Sequence, residues 1–255
     1  MTTIDPQAEA ARILAAHASG QTLAPISDRV DLTLDNAYAI QSILTQARVD
    51  RGERVIGWKL GYTSMAMRQQ MGIDAPNFGP LTDAMVLSSG SDLPGSFTQP
   101  RVEPEVGLRF LRDVPVGAGR EVVLACVASA HACLEVVDSV WADYRFKLED
   151  NTADGSSAAG VVLGPPLPLR SIKTIEVRLA VNGVEAGRGR GSDASGHPAD
   201  GVVWLVAELA SRGLRLRAGD LVITGGLTRA APLLAGSTIE ARFAPGGAKV
   251  AIRRT

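Results

Sequence analysis

Gln99-Pro100-Arg101-Val102-Glu103-Pro104-Glu105-Val106-Gly107-Leu108-Arg109-Phe110 alternates with a period of two. Val102, Pro104, Val106, Leu108 and Phe110 fall on one side. Arg101, Glu103, Glu105, Gly107 and Arg109 fall on the other, which is the pattern of a half-buried β-strand. Residues two apart in a strand point the same way, so Glu103 and Glu105 present two carboxylates side by side. Such a pair repels and would raise one pKa unless a positive charge lies between them; a divalent cation with oxygen ligands resolves the conflict. The commoner arrangement, a solvated sheet face with Arg101 and Arg109 beside the glutamates, fits the same alternation.

Upstream, two helices are expected. Asp5 can cap the first, with Pro6 at its opening position and Gly20 at its end. The second runs from near Thr33 to Arg51, with Ala37, Ile40, Ile43 and Leu44 spaced three or four apart and Gly52 as terminator. The period then changes. Val55-Ile56-Gly57-Trp58-Lys59-Leu60-Gly61 reads as a strand whose lysine has small neighbours, a setting suited to a shifted pKa and proton transfer, although an outward surface charge reads the same way. A short helix is expected over Met65 to Met71, and a turn-rich loop over Ala75 to Pro80.

Downstream, Glu121 to Ala132 reads as an apolar helix and Cys133 to Asp138 as a strand. Glu135 is an acid inside that apolar run, and such acids are rarely buried unpaired; Arg101 is one available partner. Phe146 to Ser157 reads as a structured loop, and Ala158 to Leu163 as a strand stopped by Pro165-Pro166. Ile175 to Val181 meets the hairpin signal Asn182-Gly183. Gly187-Arg188-Gly189-Arg190-Gly191 lacks the strand-to-helix setting of a phosphate loop and reads as a mobile hairpin or lid. His197-Pro198 opens a helix to Arg212, and the last third is strands over 220–224, 237–243 and 248–253.

Composition excludes several classes. With 26 basic against 27 acidic residues, no polyanion-binding surface is indicated, so no nucleic acid is expected as a partner. No apolar run is long enough for a membrane span, and the N-terminus lacks the pattern of a secretory signal, so a cytoplasmic protein is expected. Cys126 and Cys133 are expected as buried free thiols.

Taken together, the stretches 57–64, 99–105, 134–139, 153–157, 196–198 and 223–226 resemble the fumarylacetoacetate hydrolase family, in its branch of 2-keto-4-pentenoate hydratases and 4-oxalocrotonate decarboxylases. The resemblance covers nearly the whole chain. It implies an α+β fold, a mixed β-roll of the family's C-terminal type over residues 53–255, with a helical N-terminal layer over 1–52. It implies that Glu103, Glu105 and Glu135 hold Mg²⁺ or Mn²⁺ and that Lys59 is the active-site lysine, with a pKa lowered by the nearby cation. Ser157 and Thr224 match positions near the substrate, a small 2-oxo acid or its dienol from aromatic-compound breakdown, and Asn77 stands at a further substrate-binding position. A homo-oligomer is implied.

Metal-assisted enolate formation serves both water addition and decarboxylation, so both lyase reactions stay open, the hydratase first. Asn77 stands where hydratases of this branch usually carry Asp, and Gly155 where the family usually carries Asn. The stretches 144–148 and 81–85 resemble the decarboxylases more. Carbon–carbon bond hydrolysis and a non-catalytic oligomeric subunit are the remaining alternatives; for the former, neither His131 nor His197 has a carboxylate partner by spacing.

Overall fold

The computed structural model of the chain describes residues 4–65, 68, 69, 72–95 and 97–255. Helix α1 spans Pro6–Ser19, with Asp5 accepting from the Gln7 amide and Gly20 closing the end at φ 67°. Helix α2 spans Leu34–Val49 behind the Thr33 cap. Ile13, Ala37, Ile40 and Trp141 are fully or almost fully buried where the two helices pack together. The short helix expected over Met65 to Met71 includes 66, 67, 70 and 71, which lie outside the described residues.

Strands follow: β1 Val55–Gly61, β2 Asn77–Thr82, β3 Val86–Ser88 and β4 Arg101–Phe110. A short helix α3, Arg120–Ala125, precedes β5, Val127–Val137. Helix α4, Leu148–Ala153, and a 3₁₀ turn, Gly155–Ser157, lead into β6, Ala158–Leu167. Then come β7 Glu176–Val181, β8 Val184–Arg190, helix α5 Pro198–Ser211, β9 Leu221–Ile223, β10 Ala231–Pro232, β11 Ser237–Ala244 and β12 Ala248–Arg254. The result is a mixed, curled sheet ordered β2-β1-β9-β4-β5-β6-β3, with β10 on β4, and a second sheet ordered β12-β11-β7-β8. None of the described helices is long and apolar enough to cross a membrane.

Several elements depart from the sequence expectations for identifiable reasons. The loop expected at Ala75–Pro80 is mostly β2, paired antiparallel with β1. Because β2 is an edge strand, Pro80 has no second neighbour to which it owes an N–H. The helix expected over 121–132 stops at Ala125. The stretch Ala128 to Ala132 instead joins the long β4–β5 ladder, where cross-strand pairing overrides alanine's helix preference.

β6 runs through Pro165 and Pro166, because its neighbour β3 pairs only with Val161–Leu163 and leaves the proline end free on that side. The loop expected over 146–157 contains α4, with the Lys147 amide donating to Asp150 at its start. The stretch 187–191, expected as a mobile hairpin or lid, lies largely in β8, the second strand of the β7–β8 hairpin and an edge strand of the second sheet. Its charged side chains include the ion pairs Arg188–Glu185 and Arg190–Glu176, a common way to protect a sheet edge. Cys126 and Cys133 are free and buried, as expected.

Candidate active site

The two central strands bring the carboxylates together by register. Glu103 on β4 lies directly opposite Glu135 on β5, and Glu105 opposite Cys133. Like charges placed directly across a ladder destabilise it, so this pairing needs an external reason. One oxygen from each of Glu103, Glu105 and Glu135 falls within 4.8 Å of the others.

Lys59 joins them through β9, which inserts between β1 and β4: Ile223 pairs with Lys59 on one side and Gly107 on the other. The Lys59 ammonium lies 3.1 Å from Glu135 Oε1 and donates to the Ser156 carbonyl (3.0 Å) and hydroxyl (3.2 Å). The lysine therefore takes the partnership with Glu135 that the sequence offered to Arg101.

Two glycines make this packing possible. A Cβ on Gly226 would sit 2.1 Å from Glu103 Oε2. A Cβ on Gly61 would sit 2.2 Å from Asn77 Oδ1 and 2.7 Å from Ser156 Oγ.

The charges do not balance. Three carboxylates face one ammonium in a buried setting: among the described residues Glu105 Oε1 and Glu135 Oε2 have no hydrogen-bond donor, and Glu135 Oε1 has the Lys59 ammonium. Burial, with the charge of Glu135, pushes the Glu103 carboxyl up to about 7. Burial and the same neighbours push Glu105 well above the ordinary carboxylate value, and burial raises Glu135. Burial works to lower the Lys59 pKa, but the three glutamates overcome it and the net direction is upward. This is opposite to the direction expected from the sequence, which assumed a cation beside the lysine. A divalent cation among the three glutamates would neutralise the cluster, and hard oxygen donors are the ligand type that Mg²⁺ and Mn²⁺ take. The residues present fit such an ion.

A cavity of about 410 Å³ opens over this cluster. Lys59, Glu103, Ser156 and Ser157 lie on its wall. Tyr62, Tyr144, Ser156 and Ser157, all on that wall, hold left-handed backbone conformations with φ between 54° and 58°. Strain of this kind collects where a structure forces side chains toward a site. Asn151 Nδ2 donates to Ser157 Oγ (2.9 Å), which leaves the Ser157 hydroxyl proton free to donate elsewhere.

Asn77 and Thr224 do not reach the wall. Asn77 is fully buried; its amide nitrogen donates to Asn151 and Thr152, and its oxygen accepts from Ser156 Oγ at 2.8 Å. The Thr224 hydroxyl donates to the Val106 carbonyl, while the next residue, Gly225, donates its amide to Glu105 Oε2 at 2.6 Å. Both expected binding residues thus sit behind the site. The sequence reading missed Tyr62, Tyr144, Arg101, Arg229 and Ser156 as wall residues; position on the glutamate face of β4 was the available signal for Arg101. His131 bonds to Ser129 and the Gly164 carbonyl, and His197 caps α5, so neither has a carboxylate partner among the described residues.

Residues 54–252 match the family model of the fumarylacetoacetate (FAA) hydrolase C-terminal domain. The chain is 39% identical over 242 residues to a 2-keto-4-pentenoate hydratase of Burkholderia vietnamiensis, covering 92% of each. It is 34% identical over 238 residues to a 2-hydroxyhexa-2,4-dienoate hydratase of Comamonas testosteroni, covering 90% of each. Among solved structures it is similar to the 4-oxalocrotonate decarboxylase of Pseudomonas putida G7 complexed with magnesium and adipate. The TM-score is 0.92 at 26% identity, and all of both chains is covered.

Proposed function

This chain belongs to the fumarylacetoacetate hydrolase family, and from that premise we propose that it is a divalent-metal-dependent lyase. Its substrates are small 2-oxo acids or their dienols, and its leading reaction is water addition to a 2-keto-4-pentenoate-type dienol. The observation that carries the reading is the buried set Glu103, Glu105 and Glu135, whose negative charge Lys59 offsets only in part.

Those three glutamates would hold Mg²⁺ or Mn²⁺, which when bound supplies Lewis-acid stabilisation of negative charge on the substrate's 2-oxo oxygen. Lys59 holds a proton at Nζ within reach of the cavity and moves it to and from the substrate carbon skeleton, so that the dienol converts to its 2-oxo form. The Ser156 carbonyl and hydroxyl aim that ammonium. Ser157 donates its free hydroxyl proton to a substrate oxygen. Thr224 and Asn77 serve as supports: Thr224 fixes the turn whose Gly225 amide orients Glu105, and Asn77 fixes Ser156. The apolar wall of Leu60, Val137 and Phe146 keeps bulk water from the reacting carbons.

Decarboxylation is the second reading, and a specific observation favours it. Asn77 offers no carboxylate to activate water, and both its amide and its oxygen are committed to neighbours. The test is proton NMR of the protein with Mg²⁺ and either 2-hydroxypenta-2,4-dienoate or 2-oxo-3-hexenedioate, each repeated with EDTA. Formation of 4-hydroxy-2-oxopentanoate that EDTA stops is the expected result. EDTA-sensitive loss of the terminal carboxylate from the hexenedioate would establish the decarboxylase instead. Turnover untouched by EDTA would overturn the metal reading.

A further inference from the structure

Thr63 lies on the cavity wall and is only 4% exposed. Its backbone is held from the segment that precedes α5, where the Ser195 amide donates to the Thr63 carbonyl at 3.2 Å. Its side chain is held by close packing. A Cβ on Gly225 would sit 1.9 Å from Thr63 Oγ1 and 2.9 Å from Thr63 Cγ2, and Gly225 has φ 102°. Glycine at 225 is what leaves room for this threonine.

Thr63 Oγ1 is nevertheless buried with no hydrogen-bond partner among the described residues. On the same wall the hydroxyls of Ser156, Ser157 and Tyr144 each have one. A buried hydroxyl without a partner costs folding free energy and returns none until something supplies the missing bond. Thr63 Oγ1 shares this condition with Glu105 Oε1 and Glu135 Oε2. The turn at Gly225 and Gly226 links it to the glutamates. The Gly225 amide donates to Glu105 Oε2, and a Cβ on Gly226 would run into Glu103. The unpaired hydroxyl and two of the three glutamates therefore border one two-glycine turn.

We infer that Thr63 is a binding residue, its hydroxyl left unpaired by the fold so that it can donate to an anionic oxygen of the 2-oxo-acid head. The inference rests on the reading above that this head lies at the glutamates. A hydroxyl offers a proton without adding charge, and its bond to an anionic oxygen is of the stronger, charge-assisted kind. Packing against Gly225 fixes the side chain before the ligand arrives, so little rotamer freedom is lost on binding. The same hydroxyl then weakens the empty fold and strengthens the complex, a conflict typical of binding sites.

The test uses Thr63→Val, which keeps the branched shape and removes the donor, and Thr63→Ser, which keeps the donor. The thermal midpoint of metal-free Thr63→Val equals that of the wild type or exceeds it by up to about 3 °C. By calorimetric titration, Mn²⁺ binds Thr63→Val within about twofold of the wild type, well short of the loss that follows when a metal ligand loses its support. The ligand probe is 2-oxopentanoate, whose saturated chain cannot add water. It binds Mn²⁺-loaded Thr63→Val at least about tenfold more weakly than the wild type, and Thr63→Ser within about threefold.

A lower midpoint in Thr63→Val would show that the hydroxyl already has a partner, such as a bound water, and overturns the inference. A parallel loss of Mn²⁺ affinity would show that Thr63 acts by supporting Glu105 through Gly225, and a tenfold loss in Thr63→Ser as well would show that shape and not the donor matters; either overturns it. Unchanged 2-oxopentanoate affinity in Thr63→Val overturns it while leaving the head-group reading intact. Failure of 2-oxopentanoate to bind the wild type in a Mn²⁺-dependent way overturns the head-group reading and this inference with it.

Discussion

At the scale of single residues, the site depends on atoms that are missing as much as on those present. Gly226 lets the Glu103 carboxylate occupy space that a methyl group would fill. Gly226→Ala is expected to weaken Mn²⁺ binding at least about tenfold, as changes just behind a metal ligand commonly do, with little change in thermal midpoint; unchanged Mn²⁺ affinity by titration would refute the steric argument. The sequence made Glu103, Glu105 and Lys59 visible because alternation places them on strand faces and because the family resemblance names them. It could not show that Asn77 and Thr224 turn their polar atoms away from the cavity. That depends on partners far along the chain, Ser156 for one and the Val106 carbonyl for the other. Arg229 carries no local pattern at all and joins the cavity wall only through the fold.

At the scale of elements, α1 is tied to the loop that aims the lysine. His17 Nε2 lies 2.8 Å from Asp154 Oδ1, and the other Asp154 oxygen accepts from the Val140 amide. Burial works to lower the His17 pKa, but the hydrogen bond and charge of Asp154 prevail; Arg48 opposes them, Asp138 assists, and the net direction is upward from 6.5. A group whose pKa rises on folding adds stability that is complete below its unfolded value and vanishes as pH climbs through its folded value. His17→Gln is therefore expected to lower the urea midpoint more at pH 5.5 than at pH 9. An equal loss at both pH values would refute the charged pair. The helices α1, α2 and α5 were legible because capping residues and apolar spacing agree locally. β2, the full length of β5 and the proline end of β6 were not, since each exists through a neighbour and not through its own propensity.

At the scale of the whole molecule, the helical layer packs directly on the sheets although the family model matches only residues 54–252. The Tyr38 ring on α2 stacks on Phe78 of β2 at 4.7 Å, and Phe78 in turn meets Trp58 and Trp204. Gln41 donates to the carbonyls of Phe78 and Thr152, bridging α2 to both β2 and α4. A fragment of residues 53–255 is expected to lose the cooperative thermal transition of the full chain; a sharp transition in calorimetry would show that the layer is dispensable. The sheet order also bears on how the protein is made. β9, at residues 221–223, forms the rib between the lysine strand and the glutamate strands. A nascent chain that has not yet released this segment from the ribosome has a gap where those strands must join. The reactive centre therefore closes only after residue 223 has emerged, and a chain truncated before residue 221 leaves the strand edges of β1 and β4 open to other polypeptides.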